Sequence, residues 1–458
     1  MLFSSKLSLP SLLRPEGFSC ACGRRHASAL RFLLIEPGAI DSAALAVQAL
    51  GCTRPLLVCD ENTYEAAGQS LAGVLEKNAI PFSMYLYPTK QRLLPSEQAL
   101  GELMMHFDPA CDLIFGVGSG VINDLCKMAS RVSGRPCAIA ATAPSMDGLA
   151  SNSAAMEVGR VKTTIYTPSP AAILCDTQIM ANAPERMLWA GIGDMAAKYV
   201  SICEWRISHL ITGEYYCQSI AEVMRNALKE AMGSIGGVLR REPAAIAALS
   251  KGLVLSGLAS GFAQMSRPAS GLEHTFSHLW EMMALEREKP YDLHGIQVGI
   301  GTMLSLGVYD KIRLLRPTQA RVDEAVTHFC QQAWEATVRR VFGRCAQTII
   351  DAENTQWHKN AAQGRKARAA RILDHWEEIL AIIDEEMPRS DTLRRILQPT
   401  GMPVWPKEIS ISDGDAVDAF VCSRDLRDRY IGSSLLWDIG YLEEFADGLL
   451  PRFSSIAG

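Results

Sequence analysis

The chain has 458 residues, 48% of them hydrophobic and 21% charged, with a formal net charge of −5. A chain of this length exceeds one ordinary core and divides into two domains, and the mildly acidic balance gives no support for binding nucleic acid or an anionic membrane surface. Thirteen cysteines, scattered and odd in number, fit the reduced thiols of a cytoplasmic enzyme better than a disulfide framework, and no apolar run reaches the roughly 18 residues of a transmembrane helix.

The amino-terminal run MLFSSKLSLPSLLRP is rich in Ser and Leu and has no acid before Glu16. Pro10 interrupts it and no clear cleavage signal follows, so it is not read as a targeting peptide. CACGRRH comes next, with Cys20, Cys22 and His26. The spacing could bind zinc, but it supplies three ligands and no partner Cys-x-x-Cys, so a turn leading into a strand is the preferred reading.

From residue 31 to about 180 short apolar runs alternate with helical patterns. RFLLIEPGAI, RPLLVCDENTYEAAG, FSMYLYP, CDLIFGVGSG and PCAIAATAPS read as successive strands, and stretches such as Ala43–Leu50 and Glu65–Lys77 read as helices between them. Strands separated in this way predict an α/β domain: a parallel, Rossmann-like sheet covered on both faces. Beyond about residue 185 the pattern becomes long amphipathic stretches, Arg186–Leu210, Tyr215–Gly233, Ala244–Met265, Gly299–Leu315 and Asp323–Phe342, which predict an all-helical second domain. The boundary falls near Pro184, where NAPERM opens the first long helix, giving domains 1–184 and 185–458.

GVGSGVINDLCK follows the buried strand CDLIF. Gly116, Gly118 and Gly120 permit a tight turn, and the helix that starts there can turn its free N–H groups toward a pyrophosphate. The spacing departs from G-x-G-x-x-G, because Asn123 stands where a third glycine would be. Asp60 ends an earlier strand, where an acid either accepts hydrogen bonds from a ribose diol or caps the following turn. TAPSMDGLASNS places Thr142, Ser145, Asp147, Ser151 and Asn152 in a loop at a strand's carboxyl end, which is where parallel sheets bind ligands.

Three of the nine histidines lie within 21 residues, in GLEHTFSHLWEM and DLHGIQVGIG. His274 and His278 are four apart and share a helix face; spacing alone leaves open which of them binds metal. His294 follows a proline-containing loop. Upstream, Asp194 in GIGDMAAKY either joins these imidazoles or forms a plain i,i+4 pair with Lys198. One carboxylate and two imidazoles suit a divalent cation with a position left open for a substrate oxygen. With the glycine-rich turn, they read as metal-assisted redox chemistry on a small oxygenated molecule. The basic stretch Lys359–Arg371 has no interleaved aromatics and reads as a solvated helix face rather than a nucleic-acid site.

VCDENTYEAAG, GVGSGVIND, TAPSMDG, the GD of AGIGDM, SGLEHTFSHLWEM and LHG occur in that order. Together they resemble the bacterial sn-glycerol-1-phosphate dehydrogenases, in the superfamily of iron-type alcohol dehydrogenases and dehydroquinate synthases. The resemblance covers roughly residues 18–450, including RYIGSSLLWDIGYLEEFAD. It implies a nucleotide domain followed by a helical metal-binding domain, and a homodimer in the cytoplasm serving phospholipid biosynthesis. Asp194, His274 and His294 would be the metal ligands, zinc or nickel the metal, and His278 would touch substrate. Gly118, Gly120, Val121, Ile122, Asn123 and Asp124, with Thr142, Ser145 and Ser151, would hold NAD(H) or NADP(H), and Asp60 its adenosine ribose. Asp147 would contact substrate and nicotinamide. Lys162, in GRVKTT, resembles a phosphate-binding lysine of dehydroquinate synthases. The implied reaction is reduction of dihydroxyacetone phosphate to sn-glycerol 1-phosphate, with a dehydroquinate synthase-like lyase or a dehydrogenase of another small polyol as rivals. The lyase pattern carries Glu where this chain has Asp194. One departure is Thr275, where the family pattern leads one to expect a second histidine after EH; this touches substrate fit rather than the ligand set.

Overall fold

The computed structural model describes residues 9–14, 16–159 and 161–450. Residues 1–8, the start of the Ser- and Leu-rich run, lie outside them. By packing, the chain falls into two compact units, Met1–Lys198 with Cys217–Ala269, and Tyr199–Tyr216 with Ser270–Gly458. Position 184 marks a different change: among the described residues every strand precedes it and the elements after it are helical.

The first unit begins with a small antiparallel hairpin, β1 (Phe18–Ser19) and β2 (Arg25–His26). Its main sheet contains β3 (Phe32–Glu36), β4 (Pro55–Asp60), β5 (Ser83–Tyr87), β6 (Leu113–Gly118), β7 (Cys137–Ala141) and, after the hairpin β8 (Ser153–Val158) and β9 (Val161–Tyr166), β10 (Ala172–Asp176). All five pairings are parallel, in the order β3-β10-β7-β6-β4-β5. The central strands are continuous apolar runs because both of their faces are covered. PLLVC of β4 and all of β6, β7 and β10 are buried. The five strands expected from the sequence are all present. The sixth, β10, was not named there; it lies between β3 and β7.

The strand order makes a crevice. From β4 the chain moves to β5 on one side, and from β6 it moves to β7 on the other. The neighbours β4 and β6 therefore flank a topological switch point, and ligands of such sheets bind beyond the carboxyl ends of those strands. Val58 pairs with Gly116, so Asp60 and Gly118, each two residues further on, end their strands at one level.

Four helices of this unit matter below: α1 (Gly120–Ser133), α2 (Glu185–Ala196), α3 (Gln218–Gly233) and α4 (Pro243–Ala263). α4 is 21 residues long and apolar enough to cross a bilayer, but 78% of its most apolar window is buried inside the protein. It packs along α3 and against the loop around Asp147, so its apolarity is that of a core helix.

In the second unit α5 (Leu272–Glu286) and α6 (His294–Ile312) pack on each other. The expected helix Asp323–Phe342 is two helices, Gln319–Thr327 and Gln331–Phe342. The basic stretch is solvated only in part: residues 361–363, Lys366 and Arg371 are exposed, but its other cations turn inward. Arg365 is buried and stacks 4.1 Å from the Trp437 ring, Arg368 holds Asp438 through two bonds of 2.8 Å, and Arg371 caps Ile211 O at 2.9 Å. Paired guanidiniums can be internal where charge composition alone reads as surface.

Candidate functional site

In the sheet unit, α1 starts directly beyond β6. Ser119 precedes the helix, and the first helical bond runs from Asn123 N–H to Ser119 O at 2.9 Å. The N–H groups of Gly120, Val121 and Ile122 thus belong to the first turn, which has no intrahelical acceptors and carries the positive end of the helix dipole. Gly118 has a packing reason as well. A Cβ there would lie 2.7 Å from Ile122 Cβ, so only glycine lets α1 sit this close to its strand.

The other members of that segment point inward. Asn123 is fully buried and donates to Gly148 O at 3.1 Å. Asp124 pairs with Lys127 at 3.0 Å and accepts from Ala155 N–H at 3.2 Å. Lys127, which the sequence reading did not single out, is fully buried; its Nζ reaches Gly148 O at 3.1 Å, Ser151 Oγ at 3.2 Å and Ser153 O. Ser145 Oγ lies 2.5 Å from Ser119 Oγ, and Thr142 N–H donates to Gly118 O at 3.1 Å. The serine-rich loop is therefore tied to the glycine-rich turn.

Asp60 caps the turn after β4. Its Oδ1 accepts from Thr63 N–H at 2.8 Å, and its own N–H donates to Thr63 Oγ1 at 3.0 Å. The capping half of the sequence alternative is thus present. Lys162 lies in the β8–β9 hairpin, paired in register with Glu157.

Asp147 and Asp194 meet through α2. Asp147 N–H donates to Asp194 Oδ2 at 2.9 Å, and Asp147 Oδ2 accepts from Lys198 Nζ at 2.6 Å and Ser256 Oγ at 2.7 Å. Lys198 Nζ also donates to Ala269 O at 2.9 Å and lies 3.7 Å from Asp194 Oδ1. Lys198 and Asp194 are both fully buried, so this is no surface salt bridge. The i,i+4 spacing was visible in the sequence; its burial and the shared partner Asp147 were not. The approach of α2 to the loop depends on Gly191, where a Cβ would stand 1.9 Å from Pro144 O.

In the helical unit, α5 and α6 bring three imidazoles together. Ring centroids are 5.4 Å apart for His274 and His294, and 5.3 Å for His278 and His294. His274 Nδ1 lies 2.9 Å from Glu273 Oε1. His294 Nδ1 lies 3.0 Å from Ser277 Oγ and 3.3 Å from Glu281 Oε1. Both rings thus have Nδ1 engaged, which fixes their orientation and leaves Nε2 for a metal, the arrangement metal-binding histidines use. Glu281, fully buried, was missed by the sequence reading, and its carboxylate joins His278 and His294 in a set of donors within 4.8 Å of one another. Burial pushes the His278 pKa well below its ordinary value; Glu281 opposes this, while Arg427 and His294 add to it. Thr275 and His278 line a small pocket with Arg427 and Arg429, two cations that the sequence reading also missed.

A family model for iron-containing alcohol dehydrogenases matches residues 34–184. The chain is 30% identical over 384 residues to a glycerol-1-phosphate dehydrogenase [NAD(P)+] of Bacillus velezensis, which covers 83% of this chain and 84% of that protein. It is 29% identical to the glycerol-1-phosphate dehydrogenase of Halalkalibacterium halodurans over 90% of this chain and 93% of that one. Among solved structures, glycerol dehydrogenase from Schizosaccharomyces pombe superposes with a TM-score of 0.56 at 15% identity, over 94% of this chain and 93% of the other. That likeness concerns the fold.

Proposed function

This chain belongs to the glycerol-1-phosphate dehydrogenase family of oxidoreductases, and on that premise we propose that it reduces dihydroxyacetone phosphate to sn-glycerol 1-phosphate with NADH or NADPH, reversibly and with one divalent metal ion. The structural observation that supports the reading most is the imidazole pair, His274 and His294, each held by a neighbouring side chain at Nδ1. With Asp194 they form the proposed ligand set for zinc or nickel. A carboxylate and two neutral imidazoles are donors such an ion accepts, and Glu273, Ser277 and Glu281 already stand behind the two rings.

When bound, the metal supplies Lewis-acid charge and the nicotinamide supplies hydride. The chain's residues do the rest. Gly118, at the end of β6, and the first turn of α1, Gly120, Val121 and Ile122, hold the pyrophosphate by backbone N–H groups. Asn123 and Asp124 act by fixing that turn and its loop. Thr142, Ser145 and Ser151 complete the cofactor cradle, and Asp60 meets the adenosine ribose. Asp147, held by Lys198 and Ser256, contacts the nicotinamide region and substrate. His278, whose pKa burial lowers well below its ordinary value, takes the C2 hydroxyl proton in the oxidation direction and passes it to solvent, and in reduction it relays a solvent proton to the same oxygen. Lys162 meets the substrate phosphate in the assignment by resemblance. Arg427 and Arg429 are a second candidate pair, supported by their place beside His278. We place the enzyme in the cytoplasm as a homodimer.

The test is NADH oxidation with dihydroxyacetone phosphate compared with dihydroxyacetone. The proposal expects efficient turnover of the phosphorylated ketone and little of the free one. Equal efficiency on both would make the enzyme a general polyol dehydrogenase.

A further inference from the structure

The amino-terminal hairpin holds donor groups that none of this chemistry uses. β1 and β2 pair Phe18 with His26 and Ser19 with Arg25. The turn closes through Cys20 N–H to Arg24 O and Gly23 N–H to Cys20 O, both 3.0 Å. Gly23 has φ +81°, the left-handed conformation that glycine adopts without strain. One short hairpin therefore carries Cys20, Cys22 and His26.

The fourth donor comes from far along the chain. Cys217 is the residue before α3, and its Sγ lies 3.5 Å from Cys20 Sγ and 3.7 Å from His26 Nε2. Cys22 Sγ lies 3.4 Å from His26 Nε2, and all four donor atoms fall within 4.8 Å of one another. A tetrahedron with Zn–S of about 2.3 Å and Zn–N of about 2.0 Å has edges of about 3.8 Å between sulfurs and about 3.5 Å from sulfur to nitrogen. The observed separations are close to those edges. All four groups belong to the sheet unit.

The histidine is set for the same role. His26 Nδ1 lies 3.0 Å from Phe262 O. A carbonyl can only accept, so Nδ1 carries the proton and Nε2 turns its lone pair toward the sulfurs. His26 and Cys217 are buried, while Cys20 and Cys22 are half-buried, which leaves a path for an ion from the hairpin side.

We propose that Cys20, Cys22, His26 and Cys217 bind a structural zinc ion in a closed tetrahedral site, separate from the metal assigned to Asp194, His274 and His294. Three thiol protons pass to solvent as the ion enters, and no metal position is left for substrate. The ion fastens the hairpin to the start of α3 and, through His26 and Phe262, to the end of α4. The residues that follow the hairpin, Ala27–Ala29, line a cavity of about 390 Å³ together with Ala150 and Asn152 of the loop after Asp147. The pinned hairpin thus forms one wall beside the cofactor loop.

The test uses the full-length protein produced in cobalt-supplemented medium and purified under reducing conditions. Cobalt bound by thiolates absorbs in the near ultraviolet by sulfur-to-metal charge transfer, and the proposed active-site ligands include no sulfur. The expected result is a charge-transfer band in the wild type that persists in His274→Ala and disappears in Cys217→Ser. Zinc-loaded wild type should also hold one more equivalent of metal per chain than Cys217→Ser. Absence of the band in folded wild type, its survival in Cys217→Ser, its loss in His274→Ala, or a Cys20–Cys217 disulfide found by peptide mapping would each overturn the proposal. The wild-type spectrum decides even where Cys217→Ser fails to fold, and no readout depends on activity.

Discussion

Asp60 and the two α5 histidines are where single side chains test the account. Asp60 Oδ1 already accepts from Thr63 N–H, so removing the carboxylate threatens the turn as well as the cofactor site. Serine caps helices nearly as well as aspartate, which makes Asp60→Ser the informative change. We predict that the wild type prefers NADH, because a carboxylate accepts from the ribose hydroxyls and repels a 2′-phosphate. In Asp60→Ser the ratio of catalytic efficiencies should narrow several-fold, mainly through a lower KM for NADPH, while the melting temperature holds. An unchanged ratio would leave Asp60 as a cap alone. For the histidines, His274→Ala should lose metal and activity together. His278→Ala should keep most of its metal while kcat falls by about 10²–10⁴, the usual worth of a positioned acid–base group. Metal lost from His278→Ala but kept in His274→Ala would instead favour the donor set of His278, Glu281 and His294, and equal loss in both would mean that the assignment carried over by resemblance is wrong. For the phosphate, Arg427→Met should raise KM for dihydroxyacetone phosphate with little effect on kcat if the arginine pair meets it, whereas the same pattern in Lys162→Met would support the lysine assignment.

At the scale of elements, α2 and the 142–151 loop form a close joint. With 1.9 Å between a Cβ on Gly191 and Pro144 O, Gly191→Ala must push the helix or the loop away. We predict a loss of about 1–3 kcal/mol, as for other overpacked sites, read by denaturant unfolding, together with weaker NADH binding from displacement of Ser145 and Asp147. A variant with wild-type stability and cofactor affinity would mean that the joint is looser than its backbone contact implies. This scale also shows what the sequence could reveal. β4 and β6 were legible because central parallel strands are unbroken apolar runs ended by Asp and Gly. β10 has a run of the same kind, in PAAILCD, inside the stretch read as alternating, but it was not named among the strands. Lys127 and Lys198 were illegible as internal groups, since nothing in a run of letters shows that a lysine points into a buried carboxylate or a ring of carbonyls. The CACGRRH turn was legible as three donors; the fourth, Cys217, is 191 residues beyond His26, and spacing rules do not reach that far.

For the molecule as a whole, the claim is that metal and nucleotide act together on a phosphorylated ketone. Exhaustive chelation should abolish turnover, and zinc or nickel should restore it, because no side chain in the proposed site replaces Lewis-acid charge at the carbonyl; full activity in protein shown metal-free by elemental analysis would exclude that role. The most direct measurement is the handedness of the product. Dihydroxyacetone phosphate and NADH are turned over by the purified enzyme, and the glycerol phosphate formed is assigned with stereospecific enzymes or chiral chromatography. The account predicts sn-glycerol 1-phosphate alone. Formation of sn-glycerol 3-phosphate, or no reduction of the ketone by metal-loaded enzyme, would contradict it.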